Sequence, residues 1–274
     1  MMSTKEDTVS DLFHVYINAR FELKKHVSRR RLALVVALAI LLPILFYAIP
    51  PLFNQDYART ANEFASGNLA FISLLIVLSA AMFAGDSVVT EFEKRTGLSL
   101  FSTPQRRISI FAGKYIAAIL ATWLAVACYY LVTALEIGQI YGFDEISTGF
   151  LKSFLLSLLY ACSAVSFCYL FSCLLKRTIT STLAGFFVLM MILPIVSQVT
   201  MMADVDPWFI LTYNGSLITD ALGISGGSGF GPGSEFNVTS FSPDFYIGVA
   251  VMAAYAIALL YIGIVLANRK EMEG

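Results

Sequence analysis

Residues 86–114 read DSVVTEFEKRTGLSLFSTPQRRISIFAGK, a compact charged stretch set between two long apolar runs, 65–84 and 115–135. Neither run contains Asp, Glu, Lys, Arg or His. Each is close to the ~20 residues that a helix needs to cross the hydrocarbon core of a bilayer. Working outward, four more runs have the same character: 32–49, 154–175, 179–199 and 245–267. A charge at mid-helix costs about 2.5–3.5 kcal/mol even on a lenient insertion scale, so their absence is informative. Lipid obliges every span to satisfy its own backbone hydrogen bonds, which predicts six transmembrane helices and an all-α membrane fold. Buried helices of a soluble protein would not recur six times in so short a chain. Composition agrees, with 58% hydrophobic and 14% charged residues, against about 25% charged in soluble domains.

The net charge of −1 says nothing about partners, but its distribution sets orientation. All but Arg59 and Lys152 of the 18 Lys and Arg fall in the N-terminal arm, the loop 86–114, the turn at Lys176–Arg177 and the tail. The positive-inside rule then predicts a multi-pass cell-membrane protein with both termini cytoplasmic. The expected organisation is a cytoplasmic arm (1–31), a six-helix membrane domain (32–267) and a short cytoplasmic tail (268–274). No cleavable signal peptide is read, and the first span serves as signal anchor. The four cysteines all lie in spans, so no disulfide framework is expected.

Within the arm, Val9, Leu12, Phe13, Tyr16, Ile17 and Phe21 recur at helical spacing over 9–28. This predicts an amphipathic helix lying in the interface, with Arg20, Lys24, Lys25, Arg29, Arg30 and Arg31 anchoring it to membrane lipid. The outer loop 200–244 is acidic, and its first part (207–222) is apolar enough for short helices that dip toward the membrane surface. The glycine-rich segment 223–233 lacks the Lys and strand–helix context of a phosphate cradle and reads as a flexible linker. Asn237-Val-Thr matches a glycosylation sequon. Pro43 and Pro194 permit kinks in the first and fifth spans.

Catalytic chemistry is scarce. The only histidines, His14 and His26, lie in the arm, and no G-x-x-x-x-G-K-[ST] motif is present. No metal site or Ser-His pair can be assembled within the spans. Asp86 and Glu136 sit at span ends, where water is expected to reach them, so ion coupling through buried acids is disfavoured. A membrane-embedded hydrolase would need a polar cluster at one depth, which these spans do not offer.

The charged loop itself predicts a short helix over 86–94, capped by Asp86 or Ser87, with Val88, Val89 and Phe92 on one face. Gly97 ends it, Pro104 breaks the chain, and a new helix begins near residues 106–108. By pattern alone the charges are either a solvated face with an i,i+4 pair Glu91–Arg95 or a docking surface.

This stretch resembles the first cytoplasmic loop of ABC-2 type transporter permeases. The matching residues are Glu91, Lys94, Arg95, Gly97, Leu98, Leu100, Ser102, Thr103, Pro104, Arg106, Gly113 and Lys114. The arm helix, six spans, inside termini and long last outer loop fit as well; the 98–101 run is less leucine-rich than usual. The resemblance implies that 86–114 carries a coupling helix. Its Glu91, Glu93, Lys94, Arg95, Gly97, Pro104 and Arg106 would meet a separate ABC ATPase subunit. ATP and Mg²⁺ would sit on that partner, with no cofactor on this chain and no enzyme activity of its own. Two permease copies, identical or related, would pair, and nucleic acid is not an expected partner. The pathway between them would be lined by the second and fifth spans, with Phe71, Ser79, Phe83, Met190, Met191 and Pro194 as candidates. The apolar lining suits export of a lipidic, amphipathic or hydrophobic cargo. The competing expectation is a membrane scaffold or assembly protein without transport.

Overall fold

The computed structural model describes residues 3–54, 56–93, 107–223 and 243–269. Among these there is no strand, and six helices are long and apolar enough to cross a membrane. The first two helices, α1 (Ser3–Ser28) and α2 (Arg31–Leu52), meet at Arg30, whose φ of 58° puts a non-glycine residue in the left-handed region. Helix α2 runs unbroken through Pro43.

The second crossing is two helices, α3 (Ala61–Leu69) and α4 (Ile72–Phe83), rather than one continuous run. It starts earlier than the apolar run because Thr60 caps it, accepting from the Glu63 N–H at 3.3 Å, while Glu63 accepts from the Arg59 N–H at 3.1 Å. A short helix α5 (Val89–Glu93) follows, then α6 (Arg107–Ile140) and α7 (Thr148–Leu174). The fifth crossing consists of α8 (Thr178–Phe187), a π-helical turn (Val188–Ile192) and α9 (Leu193–Met202). Pro194 lies in the first turn of α9. It lacks an N–H and its ring crowds the carbonyl one turn back, so the chain widens just before it. Two four-residue helices, α10 (Leu211–Asn214) and α11 (Leu217–Asp220), precede the last crossing, α12 (Phe245–Arg269).

Lipid supplies no hydrophobic drive between helices, so close backbone approach and side-chain hydrogen bonds must hold the bundle. Helix α7 is the central post. Its Ser163 and Ser166 hydroxyls donate to the Met252 and Ala256 carbonyls of α12 at 2.7 and 3.0 Å. On its other side the Tyr130 hydroxyl of α6 lies 2.7 Å from both Ser153 and Ser157, and Tyr169 donates to the Phe111 carbonyl at 3.1 Å. Ala117, Ala118, Ala121 and Ala125 form a fully buried small-residue stripe on α6. Helices α10 and α11 fold back onto this core, and the Ser153 hydroxyl also bonds the Ile218 carbonyl. The Gly-rich segment and Asn237 lie outside the described residues.

Helix α1 packs along α6 at Gly113, where an added Cβ would stand 2.6 Å from Asn18 Cβ and 3.0 Å from the Val15 carbonyl. Phe13, Tyr16, Ile17 and Phe21 point away from the bundle, while Ala19, Glu22 and His26 face it. Gly113→Val is expected to wedge α1 off α6 at a cost of about 1–3 kcal/mol. The check is thermal unfolding in detergent together with faster proteolysis between α1 and α2.

Candidate functional site

A helix of five residues cannot stand alone in water, so the seat of α5 has to come from its neighbours. The predicted caps, Asp86 and Ser87, do not supply it. The Val88 and Val89 N–H groups instead donate to Ser172 Oγ at the end of α7, at 2.9 and 3.1 Å. Ser87 is turned back to the Ala84 carbonyl, and Asp86 pairs with Arg31. On the other side the Ser181 hydroxyl of α8 donates to the Gly85 carbonyl at 2.7 Å. A Cβ at Gly85 would lie 2.5 Å from the Ala81 carbonyl and 3.0 Å from Thr182 Cα, so only glycine allows this approach. Glu93 returns the favour to α8 by accepting from the Thr178 N–H at 2.8 Å and from the Thr178 hydroxyl. Helix α5 is therefore capped by one neighbour and caps another.

Several charges at this end are paired, some of them deeply buried. Lys114, 3% exposed on its side chain, reaches Glu22 of α1 and Glu91 of α5, the latter at 2.9 Å. Lys25 completes the square, 3.0 Å from Glu22 and 3.6 Å from Glu91. Two ammonium groups thus face two carboxylates, the arrangement that lets charge persist away from water. Arg31 pairs with Asp86 and approaches the Met82 carbonyl at 3.4 Å. Burial pushes the Glu22 carboxyl up, but Lys114 and Lys25 outweigh it and hold the group below its ordinary value. Burial lowers His26, and the nearby Glu22 and Asp86 only partly offset this. Its ring stands edge-on to Phe83, with centroids 5.0 Å apart, and its Nδ1 has no hydrogen-bond partner among the described residues. A cleft of about 250 Å³ opens beside this cluster, lined by Arg29, Arg31, Asp86, Thr90, Glu93 and Thr178.

The structure brings Glu91, Glu93 and Lys114 together; Lys94, Arg95, Gly97, Pro104 and Arg106 lie outside the described residues. Of the basic anchors, Arg20, Lys24, Arg29 and Arg30 are exposed. Lys25 and Arg31 are half-buried and take part in internal ion pairs. The six candidate pathway residues do not share one surface. Phe71 is half-buried against Phe46; Met191 is exposed, with Met190 and Pro194 half-buried. Ser79 and Phe83 are fully enclosed, Ser79 bonding the Leu75 carbonyl and Phe83 lying under His26. Asp86 and Glu136, read as water-accessible span ends, are both buried: the first pairs with Arg31 at the start of α2, and α3 packs over the second. Sequence reasoning missed Glu22, His26, Ser172 and Thr178. A signal existed for two of them: Ala19, Glu22 and His26 make an i, i+3, i+7 stripe opposite the apolar face of α1. Ser172 and Thr178 carry no such mark, since their partners are more than 80 residues distant.

Lys114→Met is expected to destabilise the bundle by about 3–5 kcal/mol, because it strands buried carboxylates. Lys114→Met/Glu22→Gln should recover part of that loss in a thermal melt. Stability should also fall on acidification in two stages. As pH drops through the ordinary histidine value of 6.5, the unfolded imidazole protonates before buried His26 does. The Glu22 contribution is full above the ordinary carboxyl value of 4.5 and is lost as pH falls through its lower folded value. Melts of wild type and His26→Leu across this range check the assignment, since the variant should lack the first stage.

No curated protein matches the chain. A family model does, over residues 33–272, which takes in all or nearly all of each membrane-length helix, together with α5, and leaves out α1. The chain belongs to that family, described as Protein of unknown function (DUF2705).

Proposed function

We propose that this chain is the membrane-spanning permease subunit of an ABC-2 type, ATP-driven transporter, exporting a lipidic, amphipathic or hydrophobic cargo. The observation that carries the reading is the seat of α5, a short charged helix bonded at once to α1, α6, α7 and α8. A push on α5 passes through buried ion pairs and caps into three long membrane-length helices as rigid-body motion. In this reading α5 and the loop after it, with Lys94, Arg95, Gly97, Pro104 and Arg106, meet a cytoplasmic ATP-binding subunit. That partner holds ATP and Mg²⁺ and performs the hydrolysis. The end of the bundle carrying α5 is then cytoplasmic, in keeping with the distribution of Lys and Arg.

The apolar outward faces of α2 and of Thr178–Met202, with Leu41, Leu45, Ile179, Leu183 and Met191 exposed, offer surface to lipid and to a second permease copy. A pathway along such faces would be poor in charge, which suits apolar cargo. Ser79 and Phe83 are enclosed within the chain, whereas Phe71, Met190, Met191 and Pro194 are at least partly exposed.

Co-purification from mild detergent tests the proposal. Wild-type chain is expected to retain an ATP-hydrolysing cytoplasmic subunit, and Lys94→Glu/Arg95→Glu to lose most of it while still inserting. These two charges are chosen because the resemblance to ABC-2 permeases places them in the coupling segment that would meet the partner. Equal retention by the variant would place docking elsewhere. If crosslinked wild-type chain captures no ATPase, the permease reading fails and a scaffold role takes its place.

A further inference from the structure

At the end of the bundle away from α5, the side chain of Glu136 points from α6 into the contact with α3 and is 6% exposed. Asn68 Nδ2 donates to its Oε2 at 2.8 Å. No group of the described protein bonds its Oε1, although that atom is buried. The surroundings are closed by Tyr129, whose hydroxyl donates to the Asn68 carbonyl at 2.6 Å, and by Thr133, which donates to the Tyr129 carbonyl at 3.1 Å.

The charged and titratable groups around this contact contain no paired cation. Helix α6 contributes Tyr129, and the segment before α3 contributes Tyr57, which bonds the Tyr47 carbonyl of α2 at 3.3 Å. The charged residues of the neighbouring short helices, Glu63 on α3 and Asp220 at the end of α11, are themselves carboxyls and supply no positive charge. Helix α4 has no titratable residue. Arg59 and Lys152, the cations at this end, are exposed, and neither forms an ion pair with Glu136 among the described residues. The contrast with Lys114 is direct: there each buried charge has an opposite partner, and here there is none. A lone carboxylate buried in apolar surroundings costs far more than the neutral acid, and one hydrogen bond from an amide does not close the gap. A bound metal cation is a poor alternative, since the described residues offer no cluster of carboxylates, histidines or cysteines here and hard cations take six or more oxygens.

We propose that Glu136 is a proton-binding site: its carboxyl is held as the neutral acid in the closed α3–α6 contact, with the proton on Oε1. Oε2 is the oxygen that Asn68 occupies, which leaves Oε1 to carry the hydrogen. Separation of α3 from α6 would admit water and release the proton at that end of the bundle. The assignment stands on burial and hydrogen bonding alone and does not depend on the permease reading.

The test uses the full chain in detergent or liposomes at neutral pH. N,N′-dicyclohexylcarbodiimide, an apolar reagent, adds across neutral carboxylic acids in membranes and leaves a stable N-acylurea that mass spectrometry locates. Label on Glu136 is expected to exceed that on exposed Glu145 by about tenfold or more. Infrared difference spectra between wild type and Glu136→Gln should show the C=O stretch of a protonated carboxyl in the wild type alone. Glu136→Gln keeps an oxygen for Asn68 and nearly the same shape, so the bundle is expected to assemble. Should it fail to do so, labelling of the wild type decides by itself. Absence of label on Glu136, or a carboxylate rather than carboxyl band, overturns the proposal.

Discussion

A single buried ammonium organises the end of the molecule that carries α5. Lys114 stands almost wholly enclosed where α1, α5 and α6 converge, and a charge so placed is tolerated only if opposite charge comes to it. Glu22 arrives from α1 and Glu91 from α5, and Lys25 balances the second carboxylate. Gly113, one residue before, removes the side chain that would otherwise hold α1 away. The Gly-Lys pair therefore has one physical meaning: glycine permits contact and lysine makes it specific.

The second constraint is that helix ends within or beside lipid must find partners for their unpaired backbone groups. Helix α5 solves this by exchange. It borrows Ser172 from α7 for its own first N–H groups and lends Glu93 to the first N–H of α8. Each bond is ordinary, but together they leave α5 little freedom to move without its neighbours. A short element so embedded is a fixed part of the bundle rather than a free loop, and this is the property on which the proposed transport reading draws.

The two ends of the bundle treat buried charge in opposite ways. Near α5, acids and bases are matched, and the cluster holds helices together. At the α3–α6 contact an acid is buried with an amide alone, which stabilises the contact only while the acid is neutral. The helices between are joined by neutral groups, serine hydroxyls to backbone carbonyls and tyrosine to serine. Such bonds add about 0.6–2 kcal/mol each in membrane helices, so the fold rests on many of them rather than on any one.

How much of this was legible beforehand follows from the range of each interaction. Six charge-free runs determined the six membrane-length helices, because the cost of burying charge and unpaired backbone in lipid acts on each segment separately. The short helix near Glu91 and the outward apolar face of α1 were equally local, written in spacing within a few residues. The caps of α5 were not, since Ser172 is indistinguishable in the sequence from the other serines of its helix until α7 is packed. Nor was the fate of Asp86 and Glu136: both stand at the ends of apolar runs, and only packing against distant residues, Arg31 for the first and Asn68 of α3 for the second, takes them out of water. The interruption at Ala70–Phe71 and the π-helical turn ahead of Pro194 belong between these cases, local in cause but settled by packing. Sequence by itself determined which segments enter the membrane; tertiary structure alone decided which polar groups are paired there, because pairing depends on neighbours brought together from far along the chain.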